Sequence, residues 1–253
     1  MSPVGIGIAA ESVGDTPIIQ QLVDRLLIEG IAWVKDTFEA CQGSMPDPLS
    51  SCRSWRGVDG SGWLDIHKAS DLARERGLRI YGSFGGVPGE DSARTYRAVL
   101  MLFAEEDEPP KAVVIAQDLD HTERARGFEQ AATEKGRMWP FVVVGALAQP
   151  EIEAWLIAVW VPEDDSERQR LAALRSTLGF DPCAEPERLS STNKESPKDA
   201  KEVLEKLTKT GRTATARWAD APIERLESSS EACRLAGFVR DVRKHLVPVV
   251  ERG

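Results

Sequence analysis

The chain has 253 residues, of which 42% are hydrophobic and 29% charged, and its formal net charge is −9. A chain of this length can bury a substantial core as one large or two small domains, without disulfide bonds. The acidic balance excludes a generally basic nucleic-acid coat protein, because its mean field would repel phosphate. It is compatible with a nucleic-acid enzyme that binds through metal ions and local basic patches.

No apolar run approaches the roughly 18 residues of a membrane span, and the first residues carry no basic segment typical of a secretory signal. The cysteines are scattered without a CxxC pair, which favours free thiols over a zinc site or a disulfide framework. They are Cys41, Cys52, Cys183 and Cys233. These features predict a cytoplasmic protein with no membrane partner.

The first elements in the chain are a strand and a helix. The apolar run Val4–Ala10 predicts a buried parallel strand, and the apolar spacing over residues 18–27 predicts a helix that ends near Gly30. Residues from about 35 to 62 are rich in Gly, Ser and Pro and have little periodicity. We therefore expect an irregular insertion in this stretch.

Strands and helices alternate along the next hundred residues. The sequence predicts, in order, a helix over 65–77, a strand over 78–82, a helix over 91–103, a strand over 112–116, a helix over 123–135, a strand over 141–147 and a helix that begins at 151. Alternation of this kind is typical of an α/β fold with a mostly parallel, Rossmann-like sheet flanked by helices. This domain is predicted over residues 1–162, and a helical C-terminal extension over 163–253.

Acidic residues follow two of the predicted strands. Glu11 ends the first strand, and Asp118 and Asp120 end the most hydrophobic central strand. Ligands of open parallel sheets bind at the carboxyl ends of strands, and carboxylate oxygens are the ligands that Mg²⁺ prefers. The pattern indicates a metal site, with a nearby Glu as general acid or base. The simpler alternative is that the two aspartates cap the next helix.

The acids and one further segment resemble a known family. Glu11 after a first strand and Asp118-Leu119-Asp120 after a later one resemble the TOPRIM fold of topoisomerases, primases and OLD-type nucleases. The stretch Pro150-Glu151-Ile152-Glu153-Ala154-Trp155-Leu156 resembles the PEIEAWL segment of small stand-alone TOPRIM-like proteins, the group called DUF4276. Similar pieces also occur around residues 196–198 and 233–238.

The resemblance implies a Mg²⁺- or Mn²⁺-dependent phosphodiester site. Glu11 would act as general acid or base and as a metal ligand, and Asp118 and Asp120 would hold the metal. Glu151 and Glu153 would bind a second metal ion. The alternative for these two glutamates is a favourable charge at a helix N-terminus.

Lys198 is a further candidate for catalysis, because a cation at a predicted helix start opposes the helix dipole. A phosphate contact or a pairing with the acidic residues would explain it. The alternative is an ordinary solvated lysine.

The sequence thus predicts a metal-dependent nuclease that acts on nucleic acid, as a homo-oligomer or with a separate ABC- or SMC-type ATPase subunit, in phage defence. A catalytically inactive adaptor of an ATPase complex is the alternative. A flavodoxin-like receiver protein is disfavoured, because residues 144–148 lack the lysine that such a protein has after a late strand.

Overall fold

A computed structural model describes residues 2–84, 87–119, 122–134, 137–191 and 196–253. The chain divides into two compact units. Unit 1 comprises Met1–Ala116, His121–Ala146 and Asp241–Gly253, and unit 2 comprises Gln117–Asp120 and Leu147–Arg240. The predicted domain boundary at residue 162 falls inside unit 2.

The strands confirm the predicted α/β class. They are β1 (Val4–Ala10), β2 (Arg53–Arg56), β3 (Leu64–Asp65), β4 (Ser83–Phe84), β5 (Val87–Pro88), β6 (Ala112–Asp118) and β7 (Val142–Ala148). The main sheet has the order β2-β1-β6-β7, and β1 runs parallel to β2, β3 and β6. Ile6 pairs with Ala112 and Ala10 with Ala116. The short strands β4 and β5 form an antiparallel pair.

Helices account for most of the remaining described residues. They are α1 (Asp15–Gly30), α2 (Ala32–Cys41), α3 (Ile66–Glu75), α4 (Asp91–Ala104), α5 (Thr122–Ala132), α6 (Ile152–Ala158), α7 (Asp165–Leu178), α8 (Ala200–Thr208), α9 (Ala214–Asp220), α10 (Ile223–Glu227), α11 (Leu235–Asp241) and α12 (Val247–Arg252), with a π-helical turn over Val242–Leu246. No strand follows β7 among the described residues, so the predicted helical extension is confirmed.

In unit 1 the sheet is covered on both faces. Successive strand residues face opposite sides, and Ala9, Val113 and Ile115 pack with buried residues of α3 and α4 in one core cluster. Ile6 and Ile8, which alternate with Ala9, are also fully buried, and α1 contacts β1. This burial on both faces explains why the strands read as continuous apolar runs.

Unit 2 has a helical core of its own. Residues of α6, α7 and α8 pack together with Trp160 and Phe180. Trp160 and Trp155 are both almost fully buried. The core of unit 2 is therefore formed mainly by helices α6, α7 and α8.

The structure corrects two predictions. The stretch 35–62 is not wholly irregular, because it completes α2 and contains the edge strand β2. Arg53 is only 6% exposed there, and it forms ion pairs with Asp24 and Asp47. The apolar pattern therefore missed this strand, since its buried first residue is charged.

The predicted strand over 78–82 does not form. The guanidinium group of Arg97 donates to the carbonyl oxygens of Tyr81 and Ser83. Within the predicted strand, the Tyr81 carbonyl is therefore engaged by a side chain, and the next strand, β4, begins only at Ser83.

Two other observations concern the thiols and the helix lengths. All four cysteines are free. Within the part of the chain that the structure describes, no helix has the combined length and apolarity that crossing a membrane requires.

Candidate functional site

Glu11 lies in unit 1, directly after β1. Its Oε1 atom forms an ion pair with Nη1 of Arg124 on α5, at 3.2 Å. The neighbouring Tyr96 is fully buried, and its hydroxyl group has no hydrogen-bond partner among the described residues. Burial raises the pKa of this phenol, against the effect of the Arg124 charge. Glu11 is therefore a partly buried carboxylate held by an arginine.

Asp118 lies in unit 2, at the end of β6. Its Oδ1 atom accepts a hydrogen bond from the backbone N–H of Ile152 at 2.9 Å. The next residue, Leu119, donates its backbone N–H to the carbonyl oxygen of Ala148 at 2.8 Å. Asp118 thus caps a helix, as the simpler alternative proposed, but the helix is α6 and not the one that follows it in the chain.

Glu151 and Glu153 lie at the start of α6 and share one lysine. Nζ of Lys201, on α8, is 3.0 Å from Oε2 of Glu151 and 3.9 Å from Oε1 of Glu153. Glu151 is 2% exposed, and its Oε1 atom is buried without a hydrogen-bond partner among the described residues. A buried carboxylate oxygen in this state is costly, and it requires a proton or a cation.

Burial raises the pKa of Glu151 to about 7, and the negative charges of Glu153 and Asp199 act in the same direction. The hydrogen bond and charge of Lys201 oppose this rise only in part. Burial works against the charge of Lys201 as well, but the hydrogen bond to Glu151 and the surrounding carboxylates outweigh it and raise its pKa. A carboxyl group that titrates near neutral pH can both hold and release a proton.

We call these five residues the Glu151 cluster: Asp118, Glu151, Glu153, Asp199 and Lys201. Asp199 is 3% exposed and is the N-cap of α8, where its side chain accepts the backbone N–H of Glu202 at 2.9 Å. With all groups ionised, four carboxylates face one ammonium group. The cluster therefore has excess negative charge around two buried carboxylates, those of Glu151 and Asp199, whereas Lys201 is exposed to solvent.

Two hydrogen bonds hold the segment that carries Glu151 and Glu153. The backbone N–H of Gln149 and the indole N–H of Trp155 both donate to the carbonyl oxygen of Cys233, at 3.3 Å and 2.6 Å. The ring of Trp155 stacks on Phe238 with centroids 5.4 Å apart, and the peptide bond between Gln149 and Pro150 is cis. These contacts fix the start of α6.

Lys198 does not join the acids. Its side chain is exposed, and its Nζ atom lies 5.7 Å from the ring centroid of Phe180. The predicted helix start at Ser196 is also too early, because Asp199 caps a helix that begins at Ala200. Sequence reasoning missed Lys201, one helical turn further on. No local sequence signal distinguishes it from an ordinary surface lysine.

The structure brings together three of the sequence-predicted residues, namely Asp118, Glu151 and Glu153. Glu11 belongs to the other unit, and Asp120 lies outside the described residues. Comparison with protein-family models, with curated proteins and with solved structures finds no match to this chain. The TOPRIM resemblance is therefore a hypothesis that the geometry of the cluster has to support.

The Glu151 cluster fits a divalent cation by the chemistry of its donors. Carboxylate oxygens are hard ligands suited to Mg²⁺ or Mn²⁺, and the buried Oε1 atom of Glu151 has a free lone pair. As arranged around Lys201, however, no three His, Cys, Asp or Glu side chains in the described ranges form a group placed to hold a metal ion. Binding would therefore require the carboxylate groups to rearrange.

Proposed function

We propose that this chain is a metal-dependent nuclease of the TOPRIM type that hydrolyses phosphodiester bonds in nucleic acid. The observation that supports the proposal is the Glu151 carboxyl group, which is buried beside Glu153 and Lys201 with one oxygen unsatisfied. A buried acid in a polar cluster whose pKa is raised to about 7 is a candidate for a functional group.

Four of the five members of the cluster have a role in this proposal. Asp118, Glu151 and Glu153 would hold Mg²⁺ or Mn²⁺, which when bound activates water and neutralises charge on a phosphate. Glu151 would move a proton at its Oε1 atom. Lys201 would neutralise the glutamates when the metal is absent and contact a phosphate oxygen when the substrate is bound.

Other parts of the proposal rest on the sequence alone, either on the residue pattern or on the resemblance. Glu11 and Lys198 as catalytic residues, and Asp120 as a metal ligand, belong to this group. So do the ABC- or SMC-type ATPase subunit, the homo-oligomer and the role in phage defence. We keep all of them as proposals. Because the chain has no ATPase motif of its own, the ATPase would be a separate subunit.

The decisive experiment is a cleavage assay on single- and double-stranded DNA and RNA with Mg²⁺ or Mn²⁺. We expect cleavage by the natural chain and a loss of about 10²- to 10⁴-fold in the Glu151→Gln variant, because the amide cannot transfer a proton. Asp118→Ala should lose activity as well. Glu185→Gln is the matched control: Glu185 lies in the same unit, half-exposed and paired only with the nearby Arg188.

Two results would contradict the proposal. Cleavage by Glu151→Gln at the natural rate would remove the cluster from the reaction. If no substrate is cut and Asp118→Ala still binds Mg²⁺ as the natural chain does, the catalytic role fails. The inactive adaptor is then the better hypothesis.

A further inference from the structure

Unit 2 contains an open cavity of about 680 Å³, and its wall includes Ala158, the last residue of α6. Its wall includes three arginines, Arg168, Arg175 and Arg225, together with Trp160 and Ser230. Helix α6 has seven residues, and at 1.5 Å per residue its two ends are about 10 Å apart. The cavity is therefore separate from the acidic cluster.

The cavity has an excess of positive charge. Arg168 pairs with Asp165 at 2.7 Å, and Arg175 pairs with Asp181 at 2.5 Å. Among the described residues, Arg225 has no carboxylate partner; its Nη2 atom donates to the carbonyl oxygen of Trp160 at 3.1 Å. The described wall holds three guanidinium groups and one carboxylate, that of Asp181. An anion is the complementary ligand.

Several hydrogen-bond donors in this wall are unused. The indole N–H of Trp160, which is 1% exposed, has no acceptor among the described residues, and neither has the buried Nε atom of Arg225. The Oγ atom of Ser230 accepts the backbone N–H of Ala232 at 3.3 Å, which leaves its own hydrogen able to donate. Because these two nitrogen atoms are buried from solvent, a ligand in the open cavity would bind the terminal nitrogens of Arg225 and the Ser230 hydroxyl rather than them.

We propose that this cavity binds a phosphorylated ligand of nucleotide size. A phosphate group would accept hydrogen bonds from Arg225 and Ser230, and the guanidinium group allows two parallel bonds. The volume is typical of small-molecule sites, and the apolar side chains of Ala158 and Leu171 line it beside the arginines. This inference goes beyond the proposed nuclease function and does not depend on it.

Isothermal titration calorimetry of the full chain with AMP, adenosine and inorganic phosphate tests this inference. We expect AMP to bind about tenfold or more tightly than adenosine, and inorganic phosphate to bind weakly and compete with AMP. Arg225→Gln should weaken AMP binding by about tenfold or more. The control is Arg188→Gln, an arginine of the same unit that is half-exposed and outside the cavity; it should leave AMP binding unchanged.

Equal binding of AMP and adenosine, no binding of AMP, or an Arg225→Gln variant that binds as the natural chain does would each overturn the proposal. If Arg225→Gln fails to fold, as judged by circular dichroism, Ser230→Ala provides the second test and should weaken AMP binding several-fold. Glu151→Gln should bind AMP normally, so this site and the nuclease proposal can fail independently.

Discussion

The two units each bury a cluster of charges, and the clusters differ in how their oxygens are satisfied. In unit 1, Arg53 holds Asp24 and Asp47, and Trp55 donates its indole N–H to Asp24. Both oxygens of Asp24 accept hydrogen bonds from Arg53, at 2.7 Å and 2.5 Å. In the Glu151 cluster of unit 2, one oxygen of Glu151 contacts Lys201 and the other has no hydrogen-bond partner among the described residues.

The ion pairs of Arg53 in unit 1 support strand β2. In the Glu151 cluster one carboxylate oxygen is left without a partner among the described residues. Burial raises the pKa of Asp24 and of Glu151 alike. Asp24, however, faces a planar guanidinium group that matches both of its oxygens, whereas Glu151 faces a single ammonium group shared with Glu153. The first cluster is complete without a ligand, and the second can accept a proton or a cation.

The largest expected effect on stability comes from removing Arg53, the cation that pairs with Asp24 and Asp47 in unit 1. Arg53→Met would leave Asp24 buried without its cation, and we expect a loss of about 3–5 kcal/mol in the free energy of unfolding. Urea denaturation measures it. Arg74→Met, which removes an exposed arginine paired with Asp71, should change stability by less than about 1 kcal/mol. Equal losses in the two variants would mean that the Arg53 cluster is not structural.

The second prediction concerns pH. Glu151 titrates at about 7 in the folded chain against an ordinary value of 4.5, so between these values the folded state binds more protons than the unfolded state. Stability should therefore decrease as the pH rises from about 4.5 to about 7, by about 3 kcal/mol from this group. Glu151→Gln should remove that part of the decrease in urea unfolding with EDTA.

Glu185→Gln serves as the control for this measurement and should keep the pH dependence of the natural chain. The comparison between the clusters is weakened if Glu151→Gln loses as much stability between pH 4.5 and 7 as the natural chain does.

The smallest expected effect is at Asp199, which combines a cap and a charge. Asp199→Ala should cost about 1 kcal/mol in unfolding free energy, because the cap of α8 is lost. Asp199→Asn should keep the cap and remove a negative charge beside Glu151, so that the pH-dependent loss of stability becomes smaller. Asp199→Ala removes the same charge, so thermal unfolding at pH 5 and pH 8 should show a smaller pH-dependent loss of stability in both variants than in the natural chain. A loss as large as that of the natural chain would argue against electrostatic coupling to Glu151.

The sequence predicts those strands in which a run of apolar residues also pairs with a neighbouring strand of the sheet. Val4–Ala10 and Ala112–Ala116 read as buried strands and form adjacent parallel strands. Strand β2 was missed because its burial depends on an ion pair with residues distant in sequence, which periodicity does not record. The expected strand over 78–82 did not form, and the carbonyl oxygen of Tyr81 within it accepts a hydrogen bond from Arg97, a contact that the apolar pattern does not record either.

The site was predictable to a similar extent. Glu151 and Glu153 were singled out by their segment, and their position at the start of a helix is confirmed. Lys201 has no distinguishing local pattern, because a lysine in the first turn of a helix is common on exposed surfaces. Its role depends on the packing of α8 against α6, which is a property of the tertiary structure.

The carbonyl oxygen of Cys233 accepts hydrogen bonds from Gln149 and Trp155. During translation these bonds can form only after Cys233 has been synthesised. Trp155 and Cys233 are 78 residues apart in the chain. The start of α6 therefore leaves the ribosome before the carbonyl group of Cys233 that it contacts. A catalytic arrangement that depends on this contact would become competent only at a late stage of synthesis.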